Sequence, residues 1–360
     1  MSFRILKRGG KTGARKGLLY LPHGRVHTPC FMSCASKGAV KGITPEELEN
    51  LGAEIILSNT YHLIQQPGLD LLKKAGGLHK FIGWDRPILT DSGGYQIFSL
   101  AKKRKVVRNG AKFFLKGGEE YFLTPESCIE AQFVFGSDII MVLDECLSWP
   151  SSHEKTEKSL SLTLEWAWRA KKYFERRVKR VKKRPLLFGI IQGGVYKDLR
   201  KESVEKLLKI GFDGYAIGGL SVGEPREMEM KILAYTLSLL PEKFPCYFMG
   251  VGRPEDVREA IKLGVDMFDC VIPTREARHG RVYLKRGENK YKVARILNKK
   301  FRFDFFPPGK DCACPCCQKY SRAYLHHLFK VGDPLGARLA SLHNLYFYLN
   351  LVKETDDLLV

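Results

Sequence analysis

Short apolar runs alternate with amphipathic segments along most of the chain. The amphipathic segments have helical spacing, and we predict helices at residues 44–51, 124–135, 199–210 and 253–263. Two of them begin with Thr-Pro-Glu, at Thr44 and Thr124, which supplies a cap, a first-turn proline and a first-turn acid. The apolar runs predict strands at residues 28–32, 54–57, 87–90, 138–143, 186–191, 215–218, 246–249 and 265–268.

Strands that alternate with helices in this way predict a parallel sheet closed into a (β/α)8 barrel. A doubly wound open sheet is the alternative, but no Gly-x-Gly-x-x-Gly motif follows the first strand. Two segments interrupt the alternation. Residues 102–123 contain the turn signals Asn109-Gly110 and Gly117-Gly118 and predict a hairpin. Residues 271–320 contain further alternating apolar residues and a cluster of cysteines.

Seven of the apolar runs have, at or just past their ends, a residue that could contribute to a site, and five of these residues are polar. In a barrel these ends meet on one face, where side chains from distant segments converge on a site. Turn formation is the alternative reason for polar residues at such positions. The residues are Asn59, Asp91, Asp144, Gln192, Gly219, Met249 and Asp269.

The segment Asp91-Ser92-Gly93-Gly94-Tyr95-Gln96 follows one of these strands. It is compatible with a simple helix cap. Two glycines directly behind an acid also let the backbone approach a flat ligand closely, which favours a binding site. Tyr95 and Met249 have the side chains to sandwich a flat ring, although a core position is an alternative for Met249.

The carboxylates Asp91, Asp144 and Asp269 are predicted to gather at the mouth of the barrel. One such group can bind ring nitrogens, one can attack as a nucleophile and one can move protons. Clustered carboxylates also bind Mg²⁺, so a metal-dependent hydrolase is an alternative. No His-x-His pair at a strand end supports that alternative.

The charge of the chain predicts a polyanionic partner. Sixty Lys and Arg residues against 39 Asp and Glu give a net charge of +21, and phosphate binding is the expected use of this excess. Basic clusters lie at residues 102–105 with Arg108 and at residues 169–184, and for the second cluster we favour a solvated helix face. The chain contains no run of about 18 apolar residues, so no membrane span is predicted. The N-terminus lacks the apolar core of a signal peptide. We therefore expect a cytoplasmic protein.

Four of the ten cysteines lie within the six residues Cys312-Ala-Cys314-Pro-Cys316-Cys317. With His326, His327 and His343 downstream, this spacing predicts tetrahedral zinc, and a redox dithiol is the alternative. The spacing alone leaves open which thiol is spare and which histidine binds. Four protein ligands would close the site and make the metal structural.

Many motifs together resemble the tRNA-guanine transglycosylase family, nearly from end to end. These are Asp91-Ser-Gly-Gly-Tyr-Gln96, Asp144-Glu-Cys146, Gln192-Gly-Gly194, Gly218-Gly-Leu220, Val222-Gly-Glu224, Met249-Gly-Val-Gly252, Phe268-Asp269-Cys270 and Pro273-Thr-Arg275. The pattern of Cys312, Cys314, Cys317 and His343 is similar to the family's zinc site.

The resemblance implies one catalytic (β/α)8 barrel over residues 1–360, with an insertion and zinc-binding subdomain at 271–345, one structural Zn²⁺ per subunit and a homodimer. It implies exchange of the wobble guanine of GUN-anticodon tRNAs for a 7-deazaguanine in queuosine biosynthesis, without an organic cofactor. Asp269 would be the nucleophile that forms a covalent ribosyl-aspartate, and Asp91 would donate and accept the proton. Attack by a carboxylate at an anomeric carbon has a parallel in retaining glycosidases.

The same resemblance implies contacts to the base and contacts to the RNA. A base flipped out of the RNA needs stacking walls and hydrogen bonds to its edge. The base would be held by Ser92, Gly93, Gly94, Tyr95, Asp144, Gln192, Gly218, Gly219, Leu220 and Met249. The anticodon stem-loop would be contacted by Gly250, Val251, Gly252, Arg253, Pro254, Glu255, Asp256, Thr274, Arg275, Glu276, Ala277 and Arg278.

The chain departs from the family pattern at Glu276 and His279, where asparagines are typical, and Glu276 places an acid among the expected RNA contacts. Cys146 and Val222 resemble the bacterial enzymes that use preQ1, and salvaged queuine is the alternative base. Because the chain ends soon after the zinc helix, we expect it to lack the additional RNA-binding domains of archaeal relatives. A catalytically silent, zinc-stapled RNA-binding barrel is the alternative from another functional class, and the presence of both Asp91 and Asp269 argues against it.

Overall fold

A closed barrel of parallel strands forms the centre of the molecule. The structure is a computed structural model that describes residues 2–100, 104–287 and 290–359. Its strands are, in chain order, β1 (Phe3–Arg8), β2 (Arg15–Leu21), β3 (Gly24–Thr28), β4 (Cys30–Cys34), β5 (Ile56–Asn59), β6 (Ile88–Asp91), β7 (Arg104–Val107), β8 (Gly110–Phe114), β9 (Glu120–Leu123), β10 (Ile139–Met141), β11 (Leu186–Ile191), β12 (Gly214–Ile217), β13 (Cys246–Phe248), β14 (Met267–Cys270), β15 (Arg281–Lys285) and β16 (Tyr291–Arg295).

The barrel contains β4, β5, β6 and β10 to β14 in that order, and β14 pairs back onto β4. All of these neighbours are parallel. The predicted (β/α)8 barrel is therefore confirmed, and the doubly wound open sheet is wrong. Because every strand runs in the same direction, the carboxyl ends of all eight strands face one mouth.

Helices surround the barrel, and the four predicted helices are confirmed as α1, α6, α8 and α10. Thr44 and Thr124 cap their helices by accepting hydrogen bonds from the backbone N–H groups of Glu47 and Ser127. The helices are α1 (Pro45–Asn50), α2 (Thr60–Gln65), α3 (Leu69–Ala75), α4 (Leu78–Ile82), α5 (Gly94–Leu100), α6 (Pro125–Phe135), α7 (His153–Arg177), α8 (Lys197–Ile210), α9 (Arg226–Ser238), α10 (Pro254–Lys262), α11 (Ile272–Ala277), α12 (Pro315–Lys319), α13 (Arg322–Val331) and α14 (Pro334–Lys353).

The predicted strand bounds need two corrections. Strand pairing continues past the apolar runs, so Asn59, Asp91 and Asp269 lie within β5, β6 and β14 rather than after them. The run predicted at 28–32 is divided between β3 and β4, because Pro29 has no N–H to donate to a sheet and separates the two strands. The strand bounds therefore depend on backbone pairing as well as on hydrophobicity.

An antiparallel sheet of β1, β2 and β3, which the sequence patterns did not reveal, packs at the amino-terminal ends of the barrel strands. Phe3, Leu19 and Val26 from this sheet share a buried cluster with Met267 of β14. Arg15 Nε donates to Asp266 Oδ1 at 2.9 Å, just before β14 begins. The sheet therefore closes the end of the barrel opposite the mouth.

The two predicted interruptions form small antiparallel sheets. The hairpin predicted at 102–123 is confirmed but has a third strand, since β7, β8 and β9 form one sheet with a turn at each glycine signal. Lys102 and Lys103 of the predicted basic cluster lie outside the described residues. In the later segment, β15 and β16 form a hairpin. Nowhere in the described ranges is a helix both long and apolar enough to cross a membrane.

Candidate active site

A cavity of about 530 Å³ opens at the mouth of the barrel, where the strand-end residues converge. It brings together side chains from every part of the barrel, although the residues lie far apart in sequence. The predicted site residues that line it are Asp91, Ser92, Gly93, Gly94, Tyr95, Asp144, Gln192, Gly218, Gly219, Leu220, Met249, Gly250, Asp269 and Arg275.

The two oxygens of the Asp269 carboxyl group have different environments. Oδ1 accepts hydrogen bonds from Tyr247 Oη at 2.6 Å and from the Gly250 N–H at 2.9 Å. Oδ2 accepts only a weak bond from the Cys34 thiol, at 3.5 Å, among the described residues. Burial raises the pKa of Asp269, and these three hydrogen bonds oppose the rise. Oδ2 is therefore the oxygen with free electron pairs for chemistry in the cavity.

Asp91 is buried at the end of β6 and accepts several hydrogen bonds. Oδ1 receives the backbone N–H groups of Thr60 at 3.0 Å and Gly93 at 3.1 Å, whereas Oδ2 receives the side-chain amides of Asn59 and Gln96. Burial, with a smaller contribution from the negative charge of Asp269, raises the pKa of Asp91 to about 6 despite these donors. A carboxyl group with such a pKa can both donate and accept a proton near neutral pH.

Asp144 is fixed by side chains from two neighbouring segments. Ser92 Oγ donates to its Oδ1 at 2.9 Å, and Gln192 Nε2 donates to its Oδ2 at 2.7 Å. Burial raises the pKa of Asp144, and the bonds from Gln192 and Ser92 oppose that rise. Gly94 packs directly on this aspartate, since a Cβ at Gly94 would lie 2.6 Å from Asp144 Oδ1. The glycine thus serves a close approach in the site and not only a turn.

Tyr95 and Met249 both line the cavity, as predicted for two walls of a ring-binding slot. Tyr95 is 53% exposed on α5, whereas Met249 is half-buried just after β13. Exposure of an aromatic ring beside a cavity is compatible with stacking on a ligand. Stacking of a base by these two residues stays a prediction.

The predicted RNA-contact residues divide into exposed and buried positions along the rim of the mouth. Gly250, Arg253, Glu255 and Arg275 are exposed, and Glu276 and Arg278 are half-buried. The others are buried, namely Val251, Gly252, Pro254, Asp256, Thr274 and Ala277. Contact of RNA with these segments stays a prediction.

The unexpected acid Glu276 has cationic partners within the protein. Its carboxylate is bonded to Arg281, and Arg275 Nε lies 3.8 Å from it. Its charge is therefore largely compensated at the rim of the mouth.

Three of the clustered cysteines converge with His343 of α14. The Nδ1 atom of His343 lies 3.7, 3.5 and 3.2 Å from the Sγ atoms of Cys312, Cys314 and Cys317. Its Nε2 lies 2.7 Å from the Tyr283 carbonyl oxygen, which fixes the ring and leaves Nδ1 directed at the thiols. The spacing left open which histidine and which three thiols form the cluster, and the structure identifies them as these four residues.

The residues left out of that cluster have other surroundings. Cys316 is buried outside it. His326 Nδ1 lies 2.8 Å from the Ile296 carbonyl oxygen, and His327 is exposed. The ligand atoms of Cys312, Cys314, Cys317 and His343 all lie within 4.8 Å of one another, which is compatible with a structural zinc ion.

Three side chains of the carboxylate network were not predicted as site residues: Cys34, Gln96 and Tyr247. Asn59 was predicted only as a strand-end residue that converges on the site, and its bond to Asp91 was not expected. Tyr247 lies within an apolar strand and has the appearance of a core residue. Since side chains alternate along a strand, a residue two positions before Met249 points to the same side, and this signal identifies Tyr247. Cys34 is the last residue of β4, so it lies at a strand end as Asp91 does in β6.

Comparison with known proteins shows the family of the chain. Residues 10–357 match the sequence model of the family described as queuine tRNA-ribosyltransferase. The chain is 48% identical over 358 residues to the queuine tRNA-ribosyltransferase of Thermoanaerobacter sp. (strain X514), covering 99% of this chain and 93% of that protein. It is 49% identical over 360 residues to the protein of the same name from Acinetobacter baylyi, covering 100% of this chain and 91% of the relative.

Proposed function

The chain belongs to the queuine tRNA-ribosyltransferase family, and from this premise we propose that it exchanges a guanine of tRNA for a 7-deazaguanine through a covalent ribosyl-aspartate. The observation that best supports the exchange is the pairing of Asp269 and Asp91 in one cavity. Asp269 has one oxygen without a strong donor, and Asp91 has a pKa of about 6. A nucleophile and a proton carrier are the two groups that this reaction needs.

In the first half-reaction, Asp269 Oδ2 attacks the ribose anomeric carbon. The bond from this carbon to guanine breaks, the new ester bond forms, and Asp91 supplies the proton that the leaving base takes up. In the second half-reaction, the incoming base gives a proton to Asp91 and attacks the same carbon, which releases Asp269 as a carboxylate. A carboxylate is suited to this carbon because the transition state has oxocarbenium character.

The base is held edge-on by Asp144, Gln192 and the backbone of Gly219, between Tyr95 and Met249. Ser92, Gly93, Gly94, Gly218 and Leu220 complete the pocket. Cys146 and Val222 line the same cavity. Val222 fills space beside the ring that the bulky cyclopentene of queuine would need, so we propose preQ1 as the incoming base.

The partner is the anticodon stem-loop of tRNAs with GUN anticodons, bound at the wobble guanine. The chain's net charge of +21 favours a polyanion, and Arg253 and Arg275 are exposed beside the mouth. Residues 250–256 and 274–278 would form this contact surface. We place the reaction in queuosine biosynthesis in the cytoplasm.

Zinc fits the residues Cys312, Cys314, Cys317 and His343. Tetrahedral zinc with ordinary bond lengths separates a histidine nitrogen from a thiolate sulfur by about 3.6 Å, and the three observed separations are 3.2–3.7 Å. One such ion per subunit would join the 309–319 segment to α14 and so stabilise a subdomain at residues 271–345 within a single barrel domain of residues 1–360. Its role would be structural, because all four ligands come from the protein.

A homodimer is supported by an exposed aromatic patch beside the zinc-binding residues, formed by Phe303, Phe305 and Phe306. These side chains are 73–76% exposed, whereas large apolar groups in such a cluster are usually covered in a functional assembly. We propose that a second copy of the chain covers this aromatic patch.

Incorporation of radiolabelled guanine into a GUN-anticodon tRNA tests the exchange. We expect incorporation that is suppressed by preQ1 at lower concentrations than by queuine. Stronger suppression by queuine would instead indicate salvage. Binding of tRNA without any incorporation would indicate a catalytically silent RNA-binding barrel and contradict the proposal.

A further inference from the structure

Arg200 of α8 is a fully buried arginine close to the base pocket. Its exposed fraction is 0%, and its Nη2 atom has no hydrogen-bond partner in the part of the chain that the structure describes. Burial lowers the pKa of its guanidinium to about 10, while Cys146 and Glu224 oppose this only in part. The group remains charged at neutral pH. A buried charge without a close carboxylate is costly, which calls for a functional explanation.

The hydrogen bonds of Arg200 lead to backbone carbonyl groups around the pocket. Nη1 donates to the carbonyl oxygens of Ile191 at 3.1 Å and Gly218 at 2.8 Å, and Nε donates to that of Gly194 at 2.8 Å. The carbonyl groups of Ile191 and Gly218 directly precede Gln192 and Gly219, the residues that we assign to the edge of the base. Arg200 thus joins the two segments that recognise the base.

The bond to the Gly218 carbonyl has a direct geometric consequence. This carbonyl and the Gly219 N–H belong to the same peptide group, and in a trans peptide the two point in opposite directions. An arginine behind the peptide therefore turns the N–H toward the cavity. Consistent with this, the Gly219 N–H is directed at the Cys146 thiol, which lines the cavity, and opposes the rise in the pKa of that thiol.

The peptide is also confined from the other side. Gly219 has a φ of +64°, and a Cβ there would overlap Oε1 of Gln192. The same Cβ would lie 3.5 Å from Arg200 Nη2. Gly219 is thus held between Gln192 and Arg200, with no room for a side chain.

We propose that Arg200 is a positioning residue that aims the Gly219 N–H at the carbonyl oxygen of the bound base. This inference rests on the proposed function, because it assumes a guanine-like base in the cavity. The guanidinium also polarises the Gly218–Gly219 peptide, which strengthens its N–H as a donor. Its buried positive charge favours a base that carries negative charge on its carbonyl oxygen. Arg200 itself does not touch the base.

Binding of two free bases tests the proposal without RNA or turnover. Guanine has the carbonyl oxygen and a proton on the neighbouring N1, and 2-aminopurine lacks both. Arg200 acts on the carbonyl side only, so the relevant quantity is the change in the ratio of their affinities on substitution of Arg200. Their dissociation constants are measured by calorimetry for the wild type, Arg200→Met, Arg200→Lys and the exposed neighbour variant Lys201→Met as a control. We expect Arg200→Met to reduce the advantage of guanine over 2-aminopurine about fivefold to tenfold, the value of one hydrogen bond. Lys201→Met should keep the wild-type advantage.

The outcomes separate this inference from the proposed function. A wild-type protein that does not prefer guanine over 2-aminopurine would contradict the assigned base pocket itself. A wild-type preference that Arg200→Met leaves unchanged, or equal weakening of both bases, would overturn the role of Arg200 alone. If Arg200→Met does not fold, Arg200→Lys decides, because the single ammonium nitrogen cannot take the places of both Nε and Nη1 and does not reproduce the planar guanidinium. A smaller guanine advantage in this variant supports the proposal, and an unchanged advantage overturns it.

Discussion

Tyr247 Oη lies 2.6 Å from Oδ1 of Asp269, within the barrel mouth. This bond, together with the one from the Gly250 N–H, occupies the oxygen that does not face the reacting carbon in our account. Tyr247 therefore orients the carboxylate and favours its ionised form. The pKa of the Tyr247 hydroxyl is raised well above its ordinary value by burial and by Asp269, so it remains a donor.

Tyr247→Phe tests the importance of this bond. Loss of a donor to the carboxylate should raise the pKa of Asp269 further, since the bond from Tyr247 now lowers it. We expect formation of the covalent intermediate to slow by about tenfold or more, and its acid limb to move to higher pH. Stopped-flow or quenched-flow measurements across pH detect both changes. Tyr215→Phe, which also removes a buried hydroxyl from the barrel, is the control, and an acid limb at the wild-type pH in Tyr247→Phe would contradict the assignment.

The raised pKa of Asp91 predicts opposite pH dependences for the two half-reactions. Below about pH 6 Asp91 is mostly protonated and can donate a proton to the leaving guanine, and above it the carboxylate can accept one from the incoming base. Formation of the intermediate should therefore slow as the pH rises through about 6, and its consumption should accelerate. The charge of Asp269, which is lost in the ester, now raises the pKa of Asp91, so the midpoint for consumption should be the lower one.

Single-turnover experiments on each half-reaction measure these profiles. Parallel profiles for formation and consumption would contradict the role of Asp91 as a single proton carrier. Asp91→Asn should remove both pH dependences near 6.

Replacement of one zinc-binding thiol should affect stability more than chemistry. We expect Cys314→Ser to lose most of the bound zinc and to lower Tm by about 5–10 °C. Cys316→Ser is the matched control, because Cys316 is equally buried but lies outside the ligand cluster. Zinc content by plasma mass spectrometry and thermal unfolding check both variants, and a full zinc complement in Cys314→Ser would show that the ligands are assigned wrongly.

The aromatic patch of Phe303, Phe305 and Phe306 predicts a change in assembly. The double variant Phe305→Ser/Phe306→Ser should weaken self-association at least about tenfold, because two buried rings would be lost from the interface. Analytical ultracentrifugation over a range of concentrations measures the effect. Phe114→Ser removes an exposed ring from β8 and should leave assembly unchanged. Equal dimer affinities in all three proteins would exclude the patch as the interface.

The sequence was a reliable guide where local patterns reflect the fold. Continuous apolar runs at 186–191 and capped helices such as Pro125–Phe135 follow from hydrophobicity and capping, and the barrel follows from their alternation. The sheet of β1 to β3 was not predicted, because β1 buries only Phe3 and β3 buries only Val26 and Thr28, so neither strand forms an apolar run.

The site could be predicted in part, for a related reason. Asp91, Asp144 and Asp269 are polar residues at the ends of apolar strands, so their convergence follows from the barrel. Strand alternation relative to Met249 marks Tyr247 only as a side chain on the same side, and its hydrogen bond to Asp269 does not follow from that pattern. The bonds of Cys34 to Asp269 and of Arg200 to the Gly218 carbonyl join different elements of the barrel, and no local pattern predicts them. Their contributions depend on strand direction and on distances that only the folded chain defines.

The most direct test of the central claim is capture of the covalent intermediate. Wild-type protein and Asp269→Asn are mixed with an RNA anticodon stem-loop without a free base, denatured, and examined by intact mass spectrometry and peptide mapping. We predict an adduct of the wild type with RNA that has lost guanine, attached at Asp269, and no adduct in Asp269→Asn although it still binds the RNA. An adduct in Asp269→Asn, or attachment at another residue of the wild type, would contradict the account.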